Sequence, residues 1–193
     1  MIYRLLFYLF LLNVALLHIC RGTSQSGFMN EDSLIHKTFE LKLTRRSGEL
    51  PQTTTPRMPH SQVSQNAGQV MYDKLAMFCF TLDAVEEKPS GISIRGARAL
   101  SLRKGIKVIN RKGFLINREF AHIHPLPDAS MHLILAPEHI QEVIDKGWGE
   151  LHPIAESFNG GLLMIFGPRN DEELETIKEI ILASYHYVSG RIK

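Results

Sequence analysis

The chain has 193 residues, 44% of them hydrophobic and 22% charged, with a net charge of +2. That is long enough for one domain with its own core, and it excludes low-complexity or fibrous chain. The basic residues are scattered, so nucleic acid is not an expected partner.

The first segment, "MIYRLLFYLFLLNVALLHICRG", has one early charge at Arg4, then an apolar run from Leu5 to Leu17. Small residues Cys20 and Gly22 sit where cleavage would follow. Residues 1–22 are therefore read as a secretory signal peptide. The alternative is an uncleaved signal anchor, since the apolar stretch approaches the ~20 residues that span a bilayer. Either reading predicts a secreted or lumenal protein that meets a membrane only through this segment. Cleavage would remove Cys20 and leave Cys79, so no internal disulfide is expected. Cys79 lies in the apolar "KLAMFCFTL" and reads as a small buried hydrophobe.

Residues 23–62 run into "GELPQTTTPRMPHSQVSQ" (48–65), rich in Pro, Thr, Ser and Gln without a hydrophobic period. They read as a poorly ordered polar lead-in, with the compact domain running from 63 to 193. "GQVMYDKLAMFCF" has apolar residues at 70, 71, 75, 78 and 79, which predicts a buried helix. "GISIRGARALSL" and "IKVINRKGFLI" read as short strands, the second as two strands around a turn at Arg111–Gly113. "EFAHIH" and "MHLIL" form a hairpin across the turn-forming "PLPDAS".

A helix begins at Pro137, with Ile140, Val143 and Ile144 inward and Lys146-Gly147 closing it. "GLLMIF" reads as an interior strand covered on both faces. Asn170 caps a last helix, three residues ahead of Glu173, whose stripe is Leu174, Ile177, Ile181, Tyr185 and Val188. The expected fold is a single α+β domain, a mainly antiparallel sheet with packed helices.

The sequence has no dinucleotide fingerprint, P-loop, CxxC pair or H-E-x-x-H. Instead five of the nine histidines fall between His122 and His152, far above an even scatter. On a strand His122 and His124 share a face, with Cβ atoms roughly 7 Å apart. Whether His132 joins them depends on hairpin register: an even sum of paired residue numbers puts all three on one face. His152 is a fourth candidate, brought by the "GWGELHP" loop. Trp148 in that loop is either core or the wall of an aromatic pocket. Arg169 is either a clamp for an anionic or carbonyl oxygen or the partner of Glu173. Glu119 and Asp128 could orient imidazoles. His60, His139 and His186 read as surface residues.

Imidazoles titrate near neutral pH and suit acid–base work. His122, His124 and His132 are also enough by count for a zinc or iron site, though no carboxylate is spaced as an obvious fourth ligand.

The segments "REFAHIHPLPDASMHLIL", "KGWGELHP" and "PRNDEELETIKEIILASYHYV" resemble the luciferase-like domain typified by fungal luciferases. The resemblance spans about residues 118–190 in order, and extends more loosely from about residue 70. It rests on A-H-x-H, a further His before Leu, G-W-G-x-x-H-P and P-R-N/D-x-E-E. It implies an oxygenase acting on a hydroxylated, hispidin-type pyrone with molecular oxygen and no added cofactor. Within that frame His122, His124, His132 and His152 would be catalytic, and Trp148, Arg169 and Glu119 would bind the substrate. The loop Pro125–Ser130 departs from the family pattern, and light emission itself is not expected. The alternatives are a non-catalytic small-molecule binding module and a metal-dependent enzyme ligated by His122, His124 and His132.

Overall fold

The computed structural model describes residues 39–191; the signal peptide or anchor read over residues 1–22 lies outside them. Six strands are present among the described residues: β1 (Val85–Pro89), β2 (Arg98–Leu102), β3 (Glu119–Ile123), β4 (Met131–Ile134), β5 (Gly149–Leu151) and β6 (Leu162–Ile165). They form one sheet in the order β1-β2-β3-β4-β6-β5, every neighbouring pair antiparallel. Among the described residues three α-helices accompany it: α1 (Gln69–Thr81), α2 (Pro137–Asp145) and α3 (Asp171–Ser189). This is the expected α+β architecture. No helix among the described residues is long and apolar enough to cross a membrane.

The sheet is two-sided in its chemistry. Side chains alternate along a strand, and the register sends Ala121, Ile123, Leu133 and Leu163 to one face. There they join the main core with the stripes of α1 and α3. Each Leu or Ile fully buried in this way contributes roughly 1.5–3 kcal/mol. The opposite face carries His122, His132 and Met164, beside a smaller apolar cluster of Leu115, Ile134, Ala155 and Leu162. Strands β3, β4 and β6 are buried throughout, which is why their sequences read as continuous apolar runs rather than alternating ones.

The helices follow their sequence signals. Pro137 occupies the first turn of α2, and Asn170 Oδ1 accepts the Glu173 N–H at 2.9 Å to cap α3. The five stripe residues of α3 are all buried. In α1 the buried stripe is Tyr72, Leu75, Ala76 and Cys79, a turn-matched set that leaves Val70 64% exposed. Burial pushes the Cys79 thiol up, so it is inert packing.

Three expectations are corrected here. Residues 106–116 form no strand pair; a short 3-10 turn at Arg111–Gly113 sits within them. Both edges of β2 are already taken by β1 and β3, so the stretch packs across α3 instead. A Cβ on Gly113 would come within 2.4 Å of Val188 Cγ1, so this close approach requires glycine. Residues 39–62, read from composition as a lead-in, also pack on the domain. Leu41 and Leu43 are buried in the main core, the Leu43 N–H donates to Glu142 Oε1 at 2.8 Å, and the Arg46 N–H donates to Lys146 O at 2.8 Å. The segment is anchored residue by residue, which leaves no hydrophobic period in its sequence. It also covers α2: His139, expected at the surface, is buried with its ring edge-on to Phe39 at 6.1 Å.

One ion network closes this packing. Glu173 Oε2 lies 3.3 Å from Arg46 Nη2, the two side chains 5% and 2% exposed, and the same carboxylate pairs with Arg169. Burial pushes the Glu173 carboxyl up, but the Arg169 hydrogen bonds and the charges of Arg46 and Arg169 outweigh it, leaving it below the usual range. A lowered folded value means stability that is full above the unfolded value near 4.5 and lost as pH falls through the folded one. Urea unfolding should show a shallower acid slope in Glu173→Gln than in the wild type. Glu173→Ala, which strands a buried guanidinium, should cost about 3–5 kcal/mol at neutral pH.

Candidate functional site

The β3–β4 hairpin decides the site. His122 pairs with His132, an even sum, and the His124 N–H donates to Ser130 O at 2.8 Å. All three histidines therefore share the face away from α1 and α3, with ring centroids 5.1 Å apart for His122–His132 and 4.5 Å for His124–His132.

A bulge then re-aims Glu119. Pairing of β2 with β3 matches Leu100 with Ala121 but Ser101 with Glu119, leaving Phe120 as the extra residue. In a regular strand residues 119 and 122 would point to opposite faces; the bulge puts both on one. Glu119 Oε1 consequently accepts from His122 Nδ1 at 2.8 Å, from Ser90 Oγ at 2.7 Å, and its Oε2 accepts from the Gly91 N–H at 3.0 Å.

The hairpin loop supplies the second carboxylate. Asp128 Oδ2 accepts from His124 Nδ1 at 2.6 Å. Its Oδ1 is held by the N–H groups of Ser130 at 3.1 Å and Gln62 at 3.2 Å. The third comes from β5, where Glu150 pairs with Met164 and so faces the histidine side. Its Oε1 accepts from His60 Nε2 at 2.7 Å. His60 belongs to a small antiparallel turn in which Thr53 bridges Gln62 and which lies over this face.

His60, expected at the surface, is thus a buried member of the site, 1% exposed. Its ring stacks on His132 at 5.2 Å and stands edge-on to His152 at 4.7 Å. His152, from the loop after β5, reaches His132 at 4.5 Å. No sequence signal marks His60, since its carboxylate partner is 90 residues away and its own segment has no period. His186 is half-buried beside Phe39 and takes no part.

Five imidazoles line one cavity of about 400 Å³, with Met58, Ile92, Ile94, Leu115, Ile154 and Leu162 among its apolar walls. Burial, then the neighbouring imidazoles, holds His132 well below the ordinary range. His152 is pushed down to about 4 by burial and by His60, His122 and His124. Burial also lowers His122, partly offset by Glu119. For the three carboxylates burial acts upward, but the hydrogen bonds from their histidine partners and other donors outweigh it, and each lies below its ordinary value. The carboxylates are ionised and the buried rings of His122, His132 and His152 neutral at pH 7.

Protonation sites follow, because an ionised carboxylate only accepts. As neutral rings, His122 and His124 carry their proton on Nδ1 and His60 on Nε2. His122 Nε2 is then a bare acceptor, so the 3.1 Å contact to His132 Nδ1 needs the proton on His132 Nδ1. His152 Nδ1 accepts the Ile154 N–H at 3.2 Å, placing its proton on Nε2. The lone pairs left over are His124 Nε2, His132 Nε2 and His60 Nδ1; the last two are buried without a partner among the described residues.

The remaining candidates lie elsewhere. Trp148 is 3% exposed in the main core and its Nε1–H donates to Thr44 O at 2.7 Å. Arg169 donates to Glu173 Oε1, to Gln65 Oε1 at 3.0 Å and to Ser47 O at 2.7 Å. Neither lines the cavity, where the resemblance implied substrate contacts; of the two readings open to each, Trp148 takes the core one and Arg169 pairs with Glu173. Glu119 serves His122 rather than the cavity. Long-range nitrogen-15 NMR of the histidines at neutral pH should find Nδ1–H in His122 and His124 and Nε2–H in His60 and His152. The opposite tautomer at His124 would contradict the Asp128 bond.

Residues 117–184 match the family model described as "Luciferase domain". The luciferases of Armillaria gallica and Armillaria mellea are each 42% identical to this chain over 77 residues, which is 38% of this chain and 29% of theirs. The luciferase of Neonothopanus nambi is 38% identical over a match of the same extent. The match thus spans less than a third of these relatives' length. No solved structure gives a significant match.

Proposed function

We propose, from the premise that residues 117–184 belong to the luciferase domain family, that this protein is an oxygenase for a small, flat, oxygen-rich substrate of the hydroxylated pyrone or polyphenol type. The observation that carries the reading is the cavity of about 400 Å³ with five imidazoles in its wall. That volume falls in the range of small-molecule sites, which pair mostly apolar walls with a few convergent polar groups.

The chemistry begins with a proton. His124 has its Nδ1–H held by Asp128, so Nε2 is turned out as an acceptor with a carboxylate behind it to stabilise the imidazolium. It takes the proton from the enolic or phenolic O–H. His152, with its proton on Nε2, donates to the oxyanion that forms. The resulting electron-rich enolate is the species that reacts with molecular oxygen, the co-substrate. The apolar walls keep water from the intermediate. The relatives' name, luciferase, supports oxidation as the class; light emission is not part of this proposal. Secretion or lumenal residence, from the reading of residues 1–22, belongs to the same proposal.

Oxygen consumption by the purified full chain should depend on a hydroxylated pyrone or polyphenol. His124→Ala should lower kcat by about 10²- to 10⁴-fold with the fold retained. Binding without turnover would make the protein a small-molecule carrier, and neither binding nor turnover across both compound classes would remove the reading.

A further inference from the structure

The geometry points to a second occupant of this cavity: we propose that His60, His132 and His152 bind a divalent first-row transition-metal ion. The inference rests on the proposed function only for the cavity, and not on its substrate.

Among the described residues two trios of imidazoles have ligand nitrogens all within 4.8 Å of one another: His60, His132 and His152, and His122, His124 and His132. Hydrogen bonding separates them. In the second trio His122 Nε2 and His132 Nδ1 already satisfy each other at 3.1 Å, so a cation there would break an existing bond. In the first, His60 Nδ1 and His132 Nε2 are buried nitrogens with no partner among the described residues, on side chains 1% and 5% exposed. A buried polar atom left unpaired is destabilising, and two of them on stacked rings call for a shared electrophile. Both are lone pairs by the proton assignment above, the state a metal ligand requires.

The other nitrogen of His60 and of His132 is held as metal-bound imidazoles usually are, by an acceptor that fixes tautomer and orientation. His60 Nε2–H donates to Glu150 at 2.7 Å. His132 Nδ1–H donates to His122, itself fixed by Glu119 at 2.8 Å. His152 is the third ligand and gives up only its 3.2 Å contact from the Ile154 N–H. Three neutral imidazoles suit zinc, iron, copper or nickel rather than magnesium or calcium, and leave a position open for a substrate oxygen or water. His124 is left outside the ligand set.

The test uses the full chain, stripped with a chelator and titrated with Co²⁺ alone, read by visible d–d absorption and by the thermal unfolding midpoint. One Co²⁺ per chain is expected, displaced by Zn²⁺, with a raised midpoint. His60→Gln and His132→Gln should abolish the bands, Glu150→Gln should weaken binding about 10- to 100-fold, and His124→Gln should leave it as in the wild type. Should His132→Gln fail to fold, His60→Gln and Glu150→Gln carry the result. Absence of stoichiometric binding overturns the proposal, and so does binding lost in His124→Gln but kept in His60→Gln. A protein that binds Co²⁺ as stated yet oxidises no pyrone or polyphenol refutes the proposed function alone. One that turns over substrate when stripped and takes up no Co²⁺ refutes the metal site alone.

Discussion

An imidazole taken out of water must be neutral or paired, and five of them share one side of this sheet. Everything around the cavity follows from that constraint. Three carboxylates, each brought by a different device, hold one nitrogen of His60, His122 and His124. The remaining nitrogens are thereby assigned as donors or acceptors before any ligand arrives. A site whose protons are placed in advance needs little rearrangement when a substrate or a cation binds.

Those devices are backbone features. The β-bulge at Phe120 turns Glu119 onto the face of His122. The loop of the β3–β4 hairpin folds Asp128 back under His124, tied down by the backbone of Ser130 and of Gln62. Pairing of β5 with β6 sets Glu150 on the same side as His132. There Met164 O would stand 2.2 Å from a Cβ at Gly149, so only glycine lets the two strands come this close. The far face of the sheet, packed by α1 and α3, gives the rigidity that keeps these placements within hydrogen-bond tolerance. The Arg46–Glu173–Arg169 network belongs to that supporting side.

A division of labour within the cavity accommodates both proposals. The Asp128–His124 pair has a free acceptor and serves proton transfer, whereas the two partnerless nitrogens of His60 and His132 form a nucleus for a cation. His122 belongs to neither set; it transmits the orientation of Glu119 to His132. The resemblance to luciferases covers His122, His124, His132 and His152 but ends before His60, which lies outside residues 117–184. The cavity is therefore wider than the family match.

Much of the scaffold was legible because it depends on local pattern. The stripe of α3, the proline at the start of α2, the Asn170 cap and the buried run of β6 are set by periodicity and by groups a few residues apart. The clustering of His122, His124 and His132 was legible for the same reason, together with Asp128 beside its histidine. What the sequence could not contain was the parity of the β3–β4 register, the bulge that reverses Glu119, and the arrival of His60 from a Pro- and Thr-rich stretch. It equally could not show that Trp148 and Arg169 are claimed by the packing of residues 44–65. Those outcomes depend on which strand edge is free and which surface is left uncovered. Such questions are answered by contacts between residues tens of positions apart, and only the tertiary structure brings those residues together.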